Sequence, residues 1–157
     1  MDLFRSLAKL AMYMKHKEMV NLQISNLSVG NHIYHCLKSI NCTYDKLSSS
    51  NEYSELSVLN NKVEFNHSCV PLFKEIQLTK SATKECLLNE IEKAKKHIVM
   101  FNLLNENNVF YHYKFGFLNL KASLQLLKEI TTFHIQQIER IVVKKTINSR
   151  DKAKGLV

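Results

Sequence analysis

Glycine, proline and tryptophan are scarce in this sequence. The 157 residues include three glycines, one proline and no tryptophan. Glycine and proline supply the tight turns of many-stranded folds, so their scarcity argues against a β-sandwich or a barrel. The composition favours a few long helices joined by polar loops. With 45% hydrophobic residues, the chain is long enough to bury a core within one domain.

Long apolar runs and closely spaced cysteines are also missing. No run approaches the roughly 18 residues of a membrane-spanning helix, and the amphipathic start, interrupted by Arg5 and Lys9, differs from a secretory signal. None of the four cysteines forms a Cys-x-x-Cys motif, which argues against a zinc ribbon or a redox motif. We therefore expect a cytoplasmic protein with reduced thiols and no membrane partner.

Positive charge exceeds negative charge but is dispersed along the chain. Twenty-two lysines and arginines stand against 14 acidic residues, which gives a net charge of +8. No run of five or six like charges marks a nucleic-acid-binding arm, and basic residues do not alternate with aromatic ones as base stacking would require. The sequence therefore predicts no specific nucleic-acid binding, and a basic nucleic-acid-associated protein is the weakest of the functional hypotheses.

Hydrophobic periodicity predicts four helices. Ser28 is well suited to cap the second helix, because its hydroxyl can accept a backbone N–H of the first turn. A polar cluster, SSSNEYSE from Ser48, ends the second helix, and an asparagine-rich stretch, NENN from Asn105, ends the third. The predicted helices cover about residues 3–22, 28–47, 87–104 and 119–145.

A long segment, residues 49–80, separates the second helix from the third. It contains the one proline, Pro71, and a short predicted strand at residues 62–65. The segment is too long for a turn between neighbouring helices, so it predicts a crossover along the length of a bundle. We find no internal repeat. Residues 1–145 are therefore expected to form a single bundle domain, and residues 146–157 a basic, flexible tail.

The seven histidines are the side chains best suited to metal binding or proton transfer. His134 lies on the apolar seam of the fourth helix, beside Ile130 and Phe133. A histidine facing a core must be hydrogen-bonded or must bind something, and both interpretations stay open. On the second helix, His32 falls at the edge of the apolar stripe, and periodicity places His35 beyond that edge, at the surface. The histidines that we expect to be exposed to solvent without a partner are His16, His67 and His97.

One stretch, LSVGNHIYHCLKS at residues 27–39, resembles a pattern of the DinB-like family of four-helix bundles. In that pattern an aromatic residue and a serine precede a metal-binding histidine, which lies seven residues after the serine. Ser28 and His35 match the serine and the histidine, whereas Leu27 stands in place of the aromatic residue. The resemblance implies that His35 is a metal ligand.

A second stretch, residues 112–141, is similar to the final turn and last helix of the same family. His112, Phe115 and Gly116 match the turn, although Tyr113 follows His112 where the family has a proline. When the helix is aligned by its threonine and final histidine, His134 falls on the second metal ligand of that helix. The resemblance therefore implies a metal site that includes His35 and His134.

The alignment places the family's remaining ligand at Ile130, which has no lone pair to donate. Changes around a metal site typically weaken binding 10–100-fold, and loss of a direct ligand should weaken it at least as much. His32 or His112 could take the vacant place, although the spacing requires neither. We therefore expect either no cofactor or a weakly bound divalent metal, zinc or nickel.

The resemblance covers residues 27–141 and implies an all-α DinB-like four-helix bundle, often a homodimer, with the long crossover between helices two and three. The leading hypothesis is a module that binds a small molecule or a protein, or a dimeric scaffold, with a weakened metal site. The alternative is a metal-dependent enzyme of the thiol S-transferase or hydrolase kind with an altered ligand set. A cavity at His35, His134 and Ile130 would favour binding or catalysis, and a seam filled by Ile130 and Phe133 would favour a scaffold.

Overall fold

Four α-helices, two short 3-10 helices and one β-hairpin lie within residues 2–49 and 83–154, the part of the chain that the computed structural model describes. Most of the described residues are helical, which confirms the prediction of a mostly helical protein. The predicted crossover and the strand at residues 62–65 lie outside the described residues. In chain order the elements are α1 (Leu3–Tyr13), α2 (Val29–Ser48), α3 (Lys84–Met100), β1 (Val109–His112), β2 (Gly116–Asn119) and α4 (Leu120–Lys154).

Side-chain caps mark the starts of α2 and α3. The Oγ of Ser28 accepts a hydrogen bond from the backbone N–H of Asn31 at 3.1 Å, which confirms the predicted cap. Thr83 caps α3 in the same way, because its Oγ1 accepts from the N–H of Cys86 at 3.1 Å. Each contact satisfies an N–H group that the first helical turn leaves without a partner.

The first helix is shorter than its periodicity predicts. It ends at Tyr13 and is followed by a short 3-10 turn, Met14–His16, so the predicted extension to residue 22 was wrong. The chain then turns towards α2, and the N–H of Gly30 donates to the carbonyl of Lys17 at 2.8 Å. A Cβ at position 30 would lie 3.0 Å from that carbonyl oxygen, so glycine permits this close approach.

The four helices pack around a common core. The second helix packs mainly against α3 and α4, and the first packs mainly against the same two helices. Two ion pairs show that α2 and α3 are parallel: Lys38 pairs with Glu90 at 2.7 Å, and further along both helices Asp45 pairs with Lys93 at 2.8 Å. Short loops join antiparallel helices, so a parallel pair is the arrangement that the predicted crossover requires.

The core contains apolar side chains from all four helices. Because α2 faces both α3 and α4, its side chains are buried over a wide arc that also includes polar residues. One of these, Asn41, donates through its amide to the backbone carbonyl of Glu90 at 3.2 Å and to its carboxylate at 2.7 Å. The fully buried apolar residues include Leu10, Ile33, Leu37, Ile40, Leu87, Leu127, Ile138 and Ile141.

The hairpin of β1 and β2 was not predicted. The two strands are antiparallel, and His112 pairs with Gly116 at the end of the ladder. Gly116 has a φ of 72°, in the left-handed region that favours glycine. A turn was expected here, but two strands of four residues without strict alternation of apolar and polar side chains do not reveal a hairpin. The described residues therefore form a mainly helical fold with a small sheet, rather than a strictly all-α one.

The last helix is longer than its apolar pattern predicts. It continues to Lys154, so the predicted end at residue 145 was wrong. No glycine or proline interrupts residues 117–154, and polar side chains alone do not end a helix. Flexibility of the basic tail stays a prediction. Neither this helix nor any other in the described residues combines the length and the hydropathy needed to cross a membrane.

The placement of Leu37 in the core predicts a large loss of stability when its side chain is shortened. Leu37 is fully buried, so Leu37→Ala should lower the free energy of unfolding by about 2–5 kcal/mol. The matched control is Val99→Ala, because Val99 lies on the outer face of α3 and is 55% exposed. That change should alter stability by less than about 0.5 kcal/mol. Urea denaturation checks both values, and equal losses would contradict this placement.

Candidate functional site

Three histidines meet in the core between α2 and α4. His32 and His35 lie three residues apart on α2 and so project from the same side of that helix. His134, from α4, lies between them, and all three side chains are at most 2% exposed. These three residues are called the histidine cluster below.

Hydrogen bonds connect the cluster in a chain. The Nδ1 atoms of His32 and His134 are 2.8 Å apart, and the Nε2 of His134 lies 2.5 Å from the Nδ1 of His35. The rings of His35 and His134 meet edge to face, with centroids 4.4 Å apart. At the outer end, the Nε2 of His32 is 3.0 Å from the Oγ of Ser25, a half-buried residue in the loop before α2. The chain of hydrogen bonds therefore runs from His35 in the core to this loop.

Burial keeps the imidazoles neutral. Desolvation lowers the pKa of His35 to about 4, and desolvation together with the proximity of His35 lowers the pKa of His32 to about 4. Desolvation, together with repulsion from His35 and His32, holds the pKa of His134 well below its usual value. No aspartate or glutamate is buried among the described residues, so no buried carboxylate compensates a positive charge there. At pH 7 each ring therefore keeps one lone pair for a hydrogen bond or a metal.

Neutrality means that all the hydrogen bonds of the chain point in one direction. A neutral imidazole carries one N–H and one lone pair, so His134 must donate to one neighbour and accept from the other. The same holds for His32 between His134 and Ser25. In one arrangement the Ser25 hydroxyl donates to His32, which donates to His134, which donates to His35; in the other, every donor and acceptor is reversed. The two arrangements differ only by the shift of one proton at each contact.

Three imidazoles suit a divalent metal as ligands. As the rings are arranged, however, their nitrogens do not point at one position that a metal could occupy. Zinc binds imidazole nitrogen at about 2.0–2.1 Å, so two such nitrogens on a tetrahedral ion lie about 3.3 Å apart. The contacts of 2.8 and 2.5 Å are shorter, and the two nitrogens of His134 face different partners. Within residues 2–49 and 83–144, no three metal-ligating side chains converge on one point. A metal would have to replace the hydrogen bonds, with the ring of His134 turned.

The structure brings the two predicted ligands, His35 and His134, into contact and adds His32 to them. The expectation that His35 would be at the surface was wrong, because α2 packs against two helices and buries more than its apolar stripe. His97, also expected at the surface, is 8% exposed, and its ring stacks on that of Tyr44 with centroids 4.2 Å apart. Sequence periodicity misses such residues because it treats polar side chains as exposed.

The other residues singled out from the sequence have different surroundings. The Nδ1 of His112 accepts two backbone N–H groups of the turn between β1 and β2. Ile130 is half-buried and packs against the core, and Phe133 is half-buried with its ring 5.3 Å from that of His134. The seam beside His134 thus contains the apolar residues that the sequence analysis associated with a scaffold. His67 lies outside the described residues.

Comparisons with protein-family models, with curated proteins and with solved structures found no match. The resemblance to the DinB-like family therefore depends on the two stretches quoted above. The geometry of the histidine cluster and its surroundings is the basis on which a function is proposed.

The depressed pKa values predict that the protein loses stability in mild acid. Below about pH 6.5 the unfolded chain binds protons that the buried histidines do not bind until about pH 4, so the free energy of unfolding falls as the pH falls. Above about pH 6.5 the contribution of the neutral, buried histidines to the free energy of unfolding is fully present. Each histidine contributes a slope of at most about 1.4 kcal/mol per pH unit.

Urea denaturation between about pH 7.5 and pH 4.5 measures this slope. The change His134→Gln removes one of the titrating groups and should make the dependence on pH shallower than in the parent. A free energy of unfolding that does not change over this range in the parent would contradict the burial of the cluster as neutral rings.

Proposed function

We propose that this protein is a helical bundle of the DinB-like kind whose functional site is the histidine cluster, and that the cluster binds a divalent metal weakly. The observation that supports this is the contact of three neutral, buried imidazoles from α2 and α4. Neutral imidazole is the form that binds zinc and nickel. The third nitrogen donor is His32, which compensates for the ligand that the resemblance places at Ile130.

His32, His35 and His134 would hold the metal, and water or a ligand would take the remaining position. A metal bound there would act as a Lewis acid towards that water or ligand. The chain itself supplies a dry, uncharged environment around the ring nitrogens. These three histidines would be the altered ligand set expected from the sequence, with His32 rather than His112 as the additional donor.

Weak binding follows from the hydrogen bonds that a metal must displace. A hydrogen bond in a protein contributes about 0.5–1.5 kcal/mol net, and a metal would replace at least the two contacts of His134. Turning the His134 ring within a packed core adds a further penalty, because close-packed side chains resist such movement. A site that must be rearranged binds less tightly than one held ready for its ligand.

The burial of the cluster favours a binding module over an enzyme. A metal-dependent reaction of the thiol S-transferase or hydrolase kind needs its substrate to reach the metal, whereas the three side chains are at most 2% exposed. We therefore retain the leading hypothesis, a binding module or a dimeric scaffold, over the enzyme. A homodimer stays a prediction that depends on the family resemblance.

Metal binding predicts a rise in melting temperature when zinc is added to protein purified without a histidine tag. Zinc at about 100 times its Kd would stabilise the fold by about 2.7 kcal/mol. Dialysis against a mild chelator should leave less than one metal per chain. His35→Ala should remove the response, whereas His16→Ala, at a half-buried histidine of the 3-10 turn, should keep it. A response that survives His35→Ala, or none in the parent, would contradict the proposal.

A fourth imidazole beside the cluster should strengthen metal binding. Ile130 lies one helical turn before His134 and is half-buried, so Ile130→His should destabilise the metal-free protein by burying a polar ring. With zinc, the same variant should gain more in melting temperature than the parent does. Val143→His, at a 55% exposed position of the same helix, should show neither effect. Thermal melting with and without zinc measures both, and equal zinc responses in Ile130→His and the parent would contradict the placement.

A further inference from the structure

A groove of about 600 Å³ lies between the loop before α2 and the C-terminal half of α4. Small-molecule sites in proteins typically measure roughly 300–1,000 Å³, so the groove is large enough for a small organic ligand. On one side it is lined by Gln23 and Ile24, and on the other by Gln137, Arg140 and Lys144 of α4. It is called the α4 groove below.

The α4 groove carries two positive charges that no ion pair with another described residue balances. Arg140 and Lys144 lie four residues apart on α4 and so share one side of the helix. Neither forms an ion pair or a hydrogen bond with another described residue. The one acidic side chain of the lining, Glu139, already accepts hydrogen bonds from the Lys9 ammonium at 3.0 Å and the Tyr13 hydroxyl at 3.5 Å. Within the part of the chain that the structure describes, the groove therefore presents two cations without an acidic partner to a ligand.

The chemistry of these side chains matches a phosphate monoester. A guanidinium binds phosphate oxygens in pairs, and an ammonium adds a second, compact charge. A phosphate monoester near neutral pH carries up to two negative charges, which complement Arg140 and Lys144. The amides of Gln23 and Gln137 offer further hydrogen bonds, and Ile24 offers apolar contact to the organic part. We propose that the α4 groove binds a small phosphate monoester.

The α4 groove adjoins the histidine cluster. Ile24 directly precedes Ser25, whose Oγ is hydrogen-bonded to the Nε2 of His32 at 3.0 Å. Gln137 follows His134 by three residues on the same helix, so both sides of the groove continue into the cluster. The proposal names the ligand class of the binding module proposed above and rests on that function for the role of the cluster, but phosphate binding itself does not require the metal.

The test is calorimetric titration of the metal-free full chain, in the presence of a chelator, with butyl phosphate, inorganic phosphate and butyrate. Butyl phosphate should bind with one site per chain and more tightly than either of the other two. The double variant Arg140→Gln with Lys144→Gln should bind it at least about tenfold more weakly, since both charge-assisted contacts are lost. Raising the ionic strength should weaken binding to the parent.

The matched control is Lys84→Gln with Lys96→Gln, which removes the same charge from two exposed positions of α3. It should bind butyl phosphate as the parent does, and circular dichroism should show both double variants folded. Absence of binding, equal weakening in the two double variants, or equal affinity for butyrate would each overturn the proposal. A parent that responds to zinc but does not bind butyl phosphate would overturn this proposal alone, and a parent that binds butyl phosphate but does not respond to zinc would overturn the metal proposal alone.

Discussion

A histidine in an apolar core must find partners for its ring nitrogens without water and without a charge to attract them. In this protein His32, His35 and His134 meet that requirement by bonding to one another and to Ser25. Because His134 contacts both histidines of α2, the network joins two helices at a defined register. Sliding α4 along α2 by one residue, a rise of about 1.5 Å, would break both contacts. A satisfied polar network of this kind specifies one packing more than it adds stability.

The same three properties that suit the cluster to a metal also stabilise it without one. Burial keeps the rings neutral, neutrality leaves lone pairs, and close approach of α2 and α4 brings those lone pairs together. In the hydrogen-bonded arrangement each lone pair at a contact between two histidines already accepts an N–H. Metal binding must therefore gain more free energy than is lost with the hydrogen bonds of the network. Donors of the right kind are not sufficient. Weak binding follows from this competition rather than from a missing ligand alone.

Sequence reasoning succeeded where apolar periodicity and side-chain caps determine the local structure. It placed α3, the Ser28 cap and the core position of His134 correctly, because these depend on residues close together in the chain. It failed for His35 and His97, whose burial depends on which helices pack around them. The hairpin was missed because each strand has only four residues, and α4 was ended too early because its last part is polar. The contact of His32 with His134 links residues 102 positions apart, and no local pattern contains it.

The α4 groove lies at the outer end of the hydrogen-bond chain, because its lining residue Ile24 directly precedes Ser25. The hydrogen-bond chain has two arrangements of its protons, and the two differ in the direction of their N–H dipoles. In one of them His35 donates to His134, His134 donates to His32, and His32 donates to Ser25, so the positive ends of the dipoles point towards the loop. In the other arrangement the Ser25 hydroxyl donates to His32, so the end of the network beside the groove is either a donor or an acceptor towards the loop.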